Sequence, residues 1–158
     1  MPYVPRTNDA PGDLGRSVDQ NDSVGNDAYF YSRICYAAVV VVTPTISCEI
    51  GDGKMYLSIP AGLTGMNLVS CHAYHATAGA GGNPTLVQVH NLTDAQNMLS
   101  TRIMVDVGEK DSKDAATPYV IDTTKDDVVT YDVIRIDVPQ LPTTAPLGLV
   151  VTLGFQFP

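Results

Sequence analysis

The sequence predicts an all-β protein: an antiparallel two-sheet sandwich, jelly-roll-like, of about eight strands, preceded by an extended N-terminal arm. Three observations carry that expectation. From Ala28 onward, segments rich in β-branched residues alternate with turn clusters at intervals of roughly 8 to 12 residues. Several of these segments alternate apolar and polar residues with the period of two that marks a strand with one buried face. Helical periodicity is nearly absent, the candidates being two single turns, Asp94–Met98 behind a Thr93 cap and Ser112–Ala115. With 158 residues, 44% of them hydrophobic, the chain suits one domain with a real core.

Residues 1–28 are dense in Pro, Gly, Asn and Asp and show neither period, so they are expected to form the arm, with residues 29–158 as the sandwich. An arm with no core of its own needs a partner surface to order it. The next segment, Ala28 to Thr43, is expected to be one long strand or a bent pair. It is apolar on both faces, with Phe30, Ile34, Tyr36, Val40 and Val42 against Tyr31, Cys35, Val39 and Val41. Such a strand should be covered on both sides. Thr43-Pro44 is expected to end it, because proline cannot donate to a ladder.

"GDGK" (Gly51 to Lys54) reads as a turn, and Met55, Leu57 and Ile59 as the buried face of a strand closed by Pro60. Gly62 and Gly65 precede a strand from Met66 to Thr77. A phosphate-cradling loop would lead into a helix N-terminus, and no helical pattern follows, so these glycines mark a turn. "TAGAGGNP" (Thr77 to Pro84) reads as a flexible loop. Thr85, Val87 and Val89 then line one face, as do Thr101, Ile103, Val105 and Val107 in the strand after the "NLTDAQNML" link. "GEKDSKDAATP" is a charged loop, Val120-Ile121 a short strand and "TTKDD" a turn. Ile134, Ile136 and Val138 oppose Val133, Arg135 and Asp137. Leu147, Leu149, Val151, Leu153, Phe155 and Phe157 share one face of the most regular strand in the chain.

Charge and motifs exclude several function classes. Nine Lys+Arg against seventeen Asp+Glu give a formal net charge of −8, a field that repels phosphate backbones, so no nucleic-acid partner is expected. The longest apolar run, Ala37 to Val42, is far below the roughly 20 residues of a membrane span, and the first residues lack the layout of a secretory signal. The expectation is a protein made in the cytoplasm and not inserted in a membrane. Cys35, Cys48 and Cys71 are odd in number and show no C-x-x-C spacing, which points to buried small apolar residues and not to disulfides or zinc.

His72 and His75, three apart on one strand, point to opposite faces and cannot chelate one metal. Asp19 to Asp27 ("DQNDSVGND") clusters oxygen ligands, but counted from Asp19 the EF-hand positions for glycine and the bidentate glutamate hold Val24 and Phe30. There is no nucleophile elbow, Walker loop or dinucleotide fingerprint. No enzyme, metal or cofactor is expected. "NLT" (Asn91 to Thr93) matches a glycosylation acceptor without a secretory context. Among the aromatics, eight Tyr outnumber three Phe, and Tyr29, Tyr31, Tyr36, Tyr56 and Tyr74 concentrate in the first three strands, a composition suited to interfaces or sugar stacking.

The runs "SIPAGLTGMNLVSCHAY", "TLVQVHNLTDAQNMLSTRIMVD", "YVIDTTKDDVVTYDVIRIDV" and "LGLVVTLGF" resemble a group of tailed-bacteriophage β-sandwich virion proteins. The likeness covers roughly residues 55 to 157 and leaves the arm uncovered. It departs at Cys71 and His72, where small or apolar residues are usual in that pattern. The resemblance implies a virion structural protein, first a capsid cement or decoration protein, commonly a trimer, bound to the major capsid protein or another virion protein through its arm. Tyr3, Val4, Arg6 and Arg16 are the arm residues expected to anchor it. The alternative is a head-fibre or tail appendage whose loops, such as Ala76 to Pro84 and Gly108 to Thr117, bind a host-surface glycan or envelope protein.

Overall fold

A computed structural model describes residues 33–158. The arm expected at 1–28, its anchors Tyr3, Val4, Arg6 and Arg16, and the start of the first expected strand lie outside the described residues. One compact unit runs from Ile34 to Pro158.

Its elements are β1 (Cys35–Ser47), β2 (Gly51–Ser58), a 3-10 turn (Ala61–Leu63), β3 (Met66–Tyr74), β4 (Thr85–Asn91), β5 (Gln96–Asn97), β6 (Leu99–Thr101), β7 (Ile103–Val105), β8 (Val120–Ile121), β9 (Asp127–Val128), β10 (Val133–Gln140) and β11 (Leu147–Gln156). The first sheet has the order β1-β11-β3-β9. In the second, β2-β10-β4, both β5 and β7 pair with the free side of β4, so they are pieces of one interrupted strand. The excursion between them, β6, pairs with β8 instead.

Counted in this way the frame has eight strands, with nested pairing. The first strand lies on the last (β1 on β11), the second on the second-last (β2 on β10), β3 on β9, and β4 on β5 and β7. A single long hairpin rolled up on itself gives this nesting, which is the jelly roll. All named pairs are antiparallel, as expected.

The period of two places the core, and on β3 a register shift between Leu68 and Ser70 brings Leu68 to the same side as Ala73. Leu149, Val151, Leu153 and Phe155 on β11, Ile134, Ile136 and Val138 on β10, Val87 and Val89 on β4, and Leu68 and Ala73 on β3 all join one buried cluster between the sheets. Phe155 is fully buried, and its truncation to alanine removes contacts worth about 3–5 kcal/mol.

Several local expectations fail for identifiable reasons. β1 does not stop at Thr43 but runs through Pro44 to Ser47. It is an edge strand, where a missing N–H is tolerated, and its register against β11 shifts between Val40 and Val42 and again between Val42 and Ser47. "GDGK" is not a reversal. Gly51 to Lys54 open β2, with Gly53 at φ +67 and a register shift against β10 between Ile136 and Val138, so the glycines serve a bulge.

The expected helical turn Asp94–Met98 is an Asx turn followed by β5. Asn91 Oδ1 accepts from the amides of Thr93 and Asp94, and Thr93 Oγ1, the expected cap, accepts instead from Val133 N at 3.0 Å. Ser112–Ala115 closes one turn through Ala115 N to Ser112 O. The serine hydroxyl accepts from Ala73 N at 2.9 Å instead of capping. "TAGAGGNP" is not a free loop: Thr77 and Ala80 bridge to Leu147 and Thr144. Gly62 and Gly65 do form a turn, with Gly65 at φ +77 entering β3 directly. Among the described residues no helix is long and apolar enough to cross a membrane.

Candidate functional site

β1, β11 and β3 lie side by side in the first sheet, and their sequences "CYAAVVVVTPTIS", "LGLVVTLGFQ" and "MNLVSCHAY" contain no Asp, Glu, Lys or Arg. Register defines the outer face. Tyr36, Gly154 and Ser70 form one transverse row, Ala38, Thr152 and His72 the next, and Val40, Val150 and Tyr74 a third. Tyr36 is 66% exposed, Val40 51% and Ile46 57%.

The surface is smooth because the middle strand carries small residues there. A Cβ on Gly154 would fall on Ser70 Oγ and lie 2.9 Å from Ile34 Cγ2 and 3.0 Å from Tyr36 Cε1, so these two side chains fold over the glycine. β1 is also the sheet edge, and nothing among the described residues pairs with its free side. A long, uncharged, exposed edge strand is a template for pairing or packing with another chain. The apolar residues on both faces of this strand predict a cover on each. Its inner face meets the core through Val39, whereas its outer face is open among the described residues.

The titratable groups of this sheet are placed structurally. His72 lies on the outer face with Nε2 2.8 Å from Asp111 Oδ1. Asp111 is held below the ordinary carboxylate range: desolvation opposes this, and the Lys113 amide and His72 outweigh it. His75 sits just past β3 on the opposite side and is fully buried. Its Nδ1 donates to Gly148 O at 2.7 Å, and Nε2 faces Thr85 Oγ1 at 3.2 Å. Burial pushes His75 below 6.5 against the opposing pull of the Gly148 carbonyl. The two histidines thus diverge, as their spacing required. Among the described residues no group of three His, Cys, Asp or Glu side chains is placed to hold a metal.

Burial raises the thiols of Cys48 and Cys71 to about 11 and about 12, values at which neither is a nucleophile. Cys35 departs from the expected burial. It is exposed because it opens the edge strand. Asn91, the glycosylation match, is fully buried, and its Nδ2 donates to Asp94 and Asp132. The two expected recognition loops meet at one end of the sandwich, where Gly108 N donates to Gly79 O at 3.0 Å, but they present no aromatic tip. Among the described residues the most exposed large hydrophobic side chain, Tyr131 at 82%, stands in the turn before β10 with φ +72. The charge-free trio of strands was not expected from the sequence. Its signal, three long strand segments free of Asp, Glu, Lys and Arg in a chain of net charge −8, was present in plain view.

No known protein family, no curated protein and no solved structure matches this chain.

Proposed function

We propose that this protein is a structural component of a tailed-bacteriophage virion, a capsid cement or decoration protein that assembles through the outer face of its first sheet, along the charge-free strands β1 and β11. The observation that carries the reading is that face: three adjacent strands without a charged residue, ending in a free edge, in an otherwise acidic molecule. Its occupant is a second copy of the chain. Charge-depleted surface with tyrosine is the composition of an interface core, and a heterologous contact repeated about an axis closes a trimer. The arm, with Tyr3, Val4, Arg6 and Arg16, then holds the oligomer to the major capsid protein. A protein that binds the assembled shell and not free subunits stabilises the shell by mass action.

Sedimentation velocity with mass determination tests the assembly step. The wild type is expected as a trimer, and Val40→Lys as a folded monomer. Val40 is half exposed, so the lysine alters the isolated fold by no more than about 0.5 kcal/mol while placing an unpaired charge in the contact. A wild-type monomer at all concentrations, or an oligomer indifferent to Val40→Lys, refutes the surface. Rebinding of the wild type to particles stripped of it tests the virion step separately.

A further inference from the structure

The outer face of the second sheet is built on different chemistry. Tyr56, Arg135, His90 and Asn97 face one another across β2, β10, β4 and β5, and Asp137 lies beside Gln88 in the next row. On the free side of β4, β5 pairs with His90 and Asn91 and β7 with Thr85 to Val87, while β6 turns away to β8. Gln88 is left without a strand opposite. Its amide stands in: Nε2 donates to Leu99 O at 3.2 Å, and Oε1 accepts from Val89 N at 3.0 Å.

The detour opens a cleft of about 660 Å³ floored by Leu86, Leu99 and Met104, continuous through Gln88, Asn97 and Arg102 with a second hollow of about 210 Å³. Arg102 lies at the strand break itself, between β6 and β7.

The cations around this cleft are paired, with one exception. Arg135 holds Asp137 and approaches Asp52 at 3.7 Å, and Lys125 holds Asp122 at 2.9 Å. Arg102 is exposed at the rim of the cleft and has no hydrogen bond or ion pair to any described residue, in a chain with seventeen carboxylates for nine Lys+Arg. Nearby, the hydroxyls of Thr101 and Thr117 line the same cleft and have no partner among the described residues. Asn97 Oδ1 accepts from His90 Nδ1 at 2.9 Å, which leaves the Asn97 amide N–H groups for the cleft. The unfilled capacity is therefore a guanidinium fork with short hydroxyl and amide groups above an apolar floor.

The geometry points to an acidic saccharide as the ligand of this cleft, a glycan bearing a uronate or sialate carboxylate. Arg102 takes the carboxylate through two parallel N–H bonds, a pairing its planar fork matches. Thr101, Thr117 and Asn97 reach ring hydroxyls, and Leu86, Leu99 and Met104 lie under the C–H face of a pyranose. The size falls within that of small-ligand sites. An acidic peptide fits less well, since its backbone N–H groups need acceptors, and Asp122 and Asp137 are already taken by Lys125 and Arg135. The site lies on the sheet opposite the assembly face and does not depend on it.

Titration by NMR on the full chain tests this, with galacturonate trisaccharide and 3′-sialyllactose as acidic probes, lactose as the neutral sugar and sodium acetate as the free carboxylate. At least one acidic saccharide is expected to bind tenfold or more tighter than lactose and acetate, with shifts centred on residues 97–104. Arg102→Gln is expected to weaken it at least tenfold and Thr117→Val about threefold, each variant first checked for an unchanged fold; the threonine variant serves if the arginine variant does not fold. No binding by either acidic probe, equal binding of lactose or acetate, or full binding by the variants overturns the assignment. Any of these outcomes leaves the oligomeric state, and so the assembly surface, untouched.

Discussion

His75 is the buried group whose charge state the fold constrains most directly. Its ring is enclosed between Gly148 O and Thr85 Oγ1 and lies within 3.9 Å of Cys48 Sγ, and desolvation favours the neutral form. Because the folded pKa lies below the unfolded one, the unfolded chain binds more protons in the window between them, so stability rises with pH there. The contribution is fully present above the unfolded value of about 6.5 and is lost progressively as pH falls toward the folded value. Thermal unfolding between pH 7.5 and 5.5 is therefore expected to show Tm falling with acidification in the wild type, and falling less in His75→Gln. Parallel slopes in the two proteins would assign the effect to other groups. Spacing in the sequence showed that His72 and His75 diverge. It did not show which one is buried, because that depends on Gly148, seventy-three residues away in the chain.

Among the elements, the pair β1 and β11 shows where sequence periodicity is informative and where it stops. The alternation of Leu149, Val151, Leu153 and Phe155 was legible because burial on one face imposes a period of two. The passage of β1 through Pro44 was not, because it depends on β1 being an edge, a property of sheet order that no local pattern encodes. The same holds for "GDGK", whose glycines suit a reversal and a bulge equally until Asp137 Oδ1 is seen accepting from Gly53 N at 2.7 Å.

At the irregular end of the β1–β11 pair, Gly148 has φ +66, and a Cβ there would lie 2.8 Å from Pro44 Cα and 3.1 Å from Ala76 Cβ. Gly148→Ala adds left-handed strain of about 1–2 kcal/mol to a backbone clash, and a loss on the order of 2–3 kcal/mol is expected. Denaturant titration should give a lower midpoint with an unchanged slope. An unchanged midpoint would mean that β1 shifts freely at Pro44, and that the edge is looser than its register implies.

For the whole molecule, the two sheets divide the chemistry: one is free of charge across three strands, and the other carries Arg135, Asp137, Asp52 and Lys54. The all-β class and the long strands were legible from strand spacing, whereas β9 (Asp127–Val128), which closes the first sheet, begins at the end of a segment that reads as a turn. The nested strand order was not, since pairing partners up to 120 residues apart, such as Cys35 and Phe155, leave no local trace. The division of labour that follows gives the arm a role separable from the fold. The compact unit begins at Ile34 and contains every core side chain among the described residues, none of which deletion of residues 2–28 removes. The truncated protein is expected to unfold cooperatively, to keep the oligomeric state of the full chain because the first sheet is intact, and to lose binding to stripped particles. Co-sedimentation with particles measures the last of these. If the truncated protein bound as fully as the complete chain, Tyr3, Val4, Arg6 and Arg16 would have no anchoring role, and attachment would have to run through the sandwich itself. If it lost its oligomeric state instead, the arm and not the charge-free strands of the first sheet would be what joins the copies.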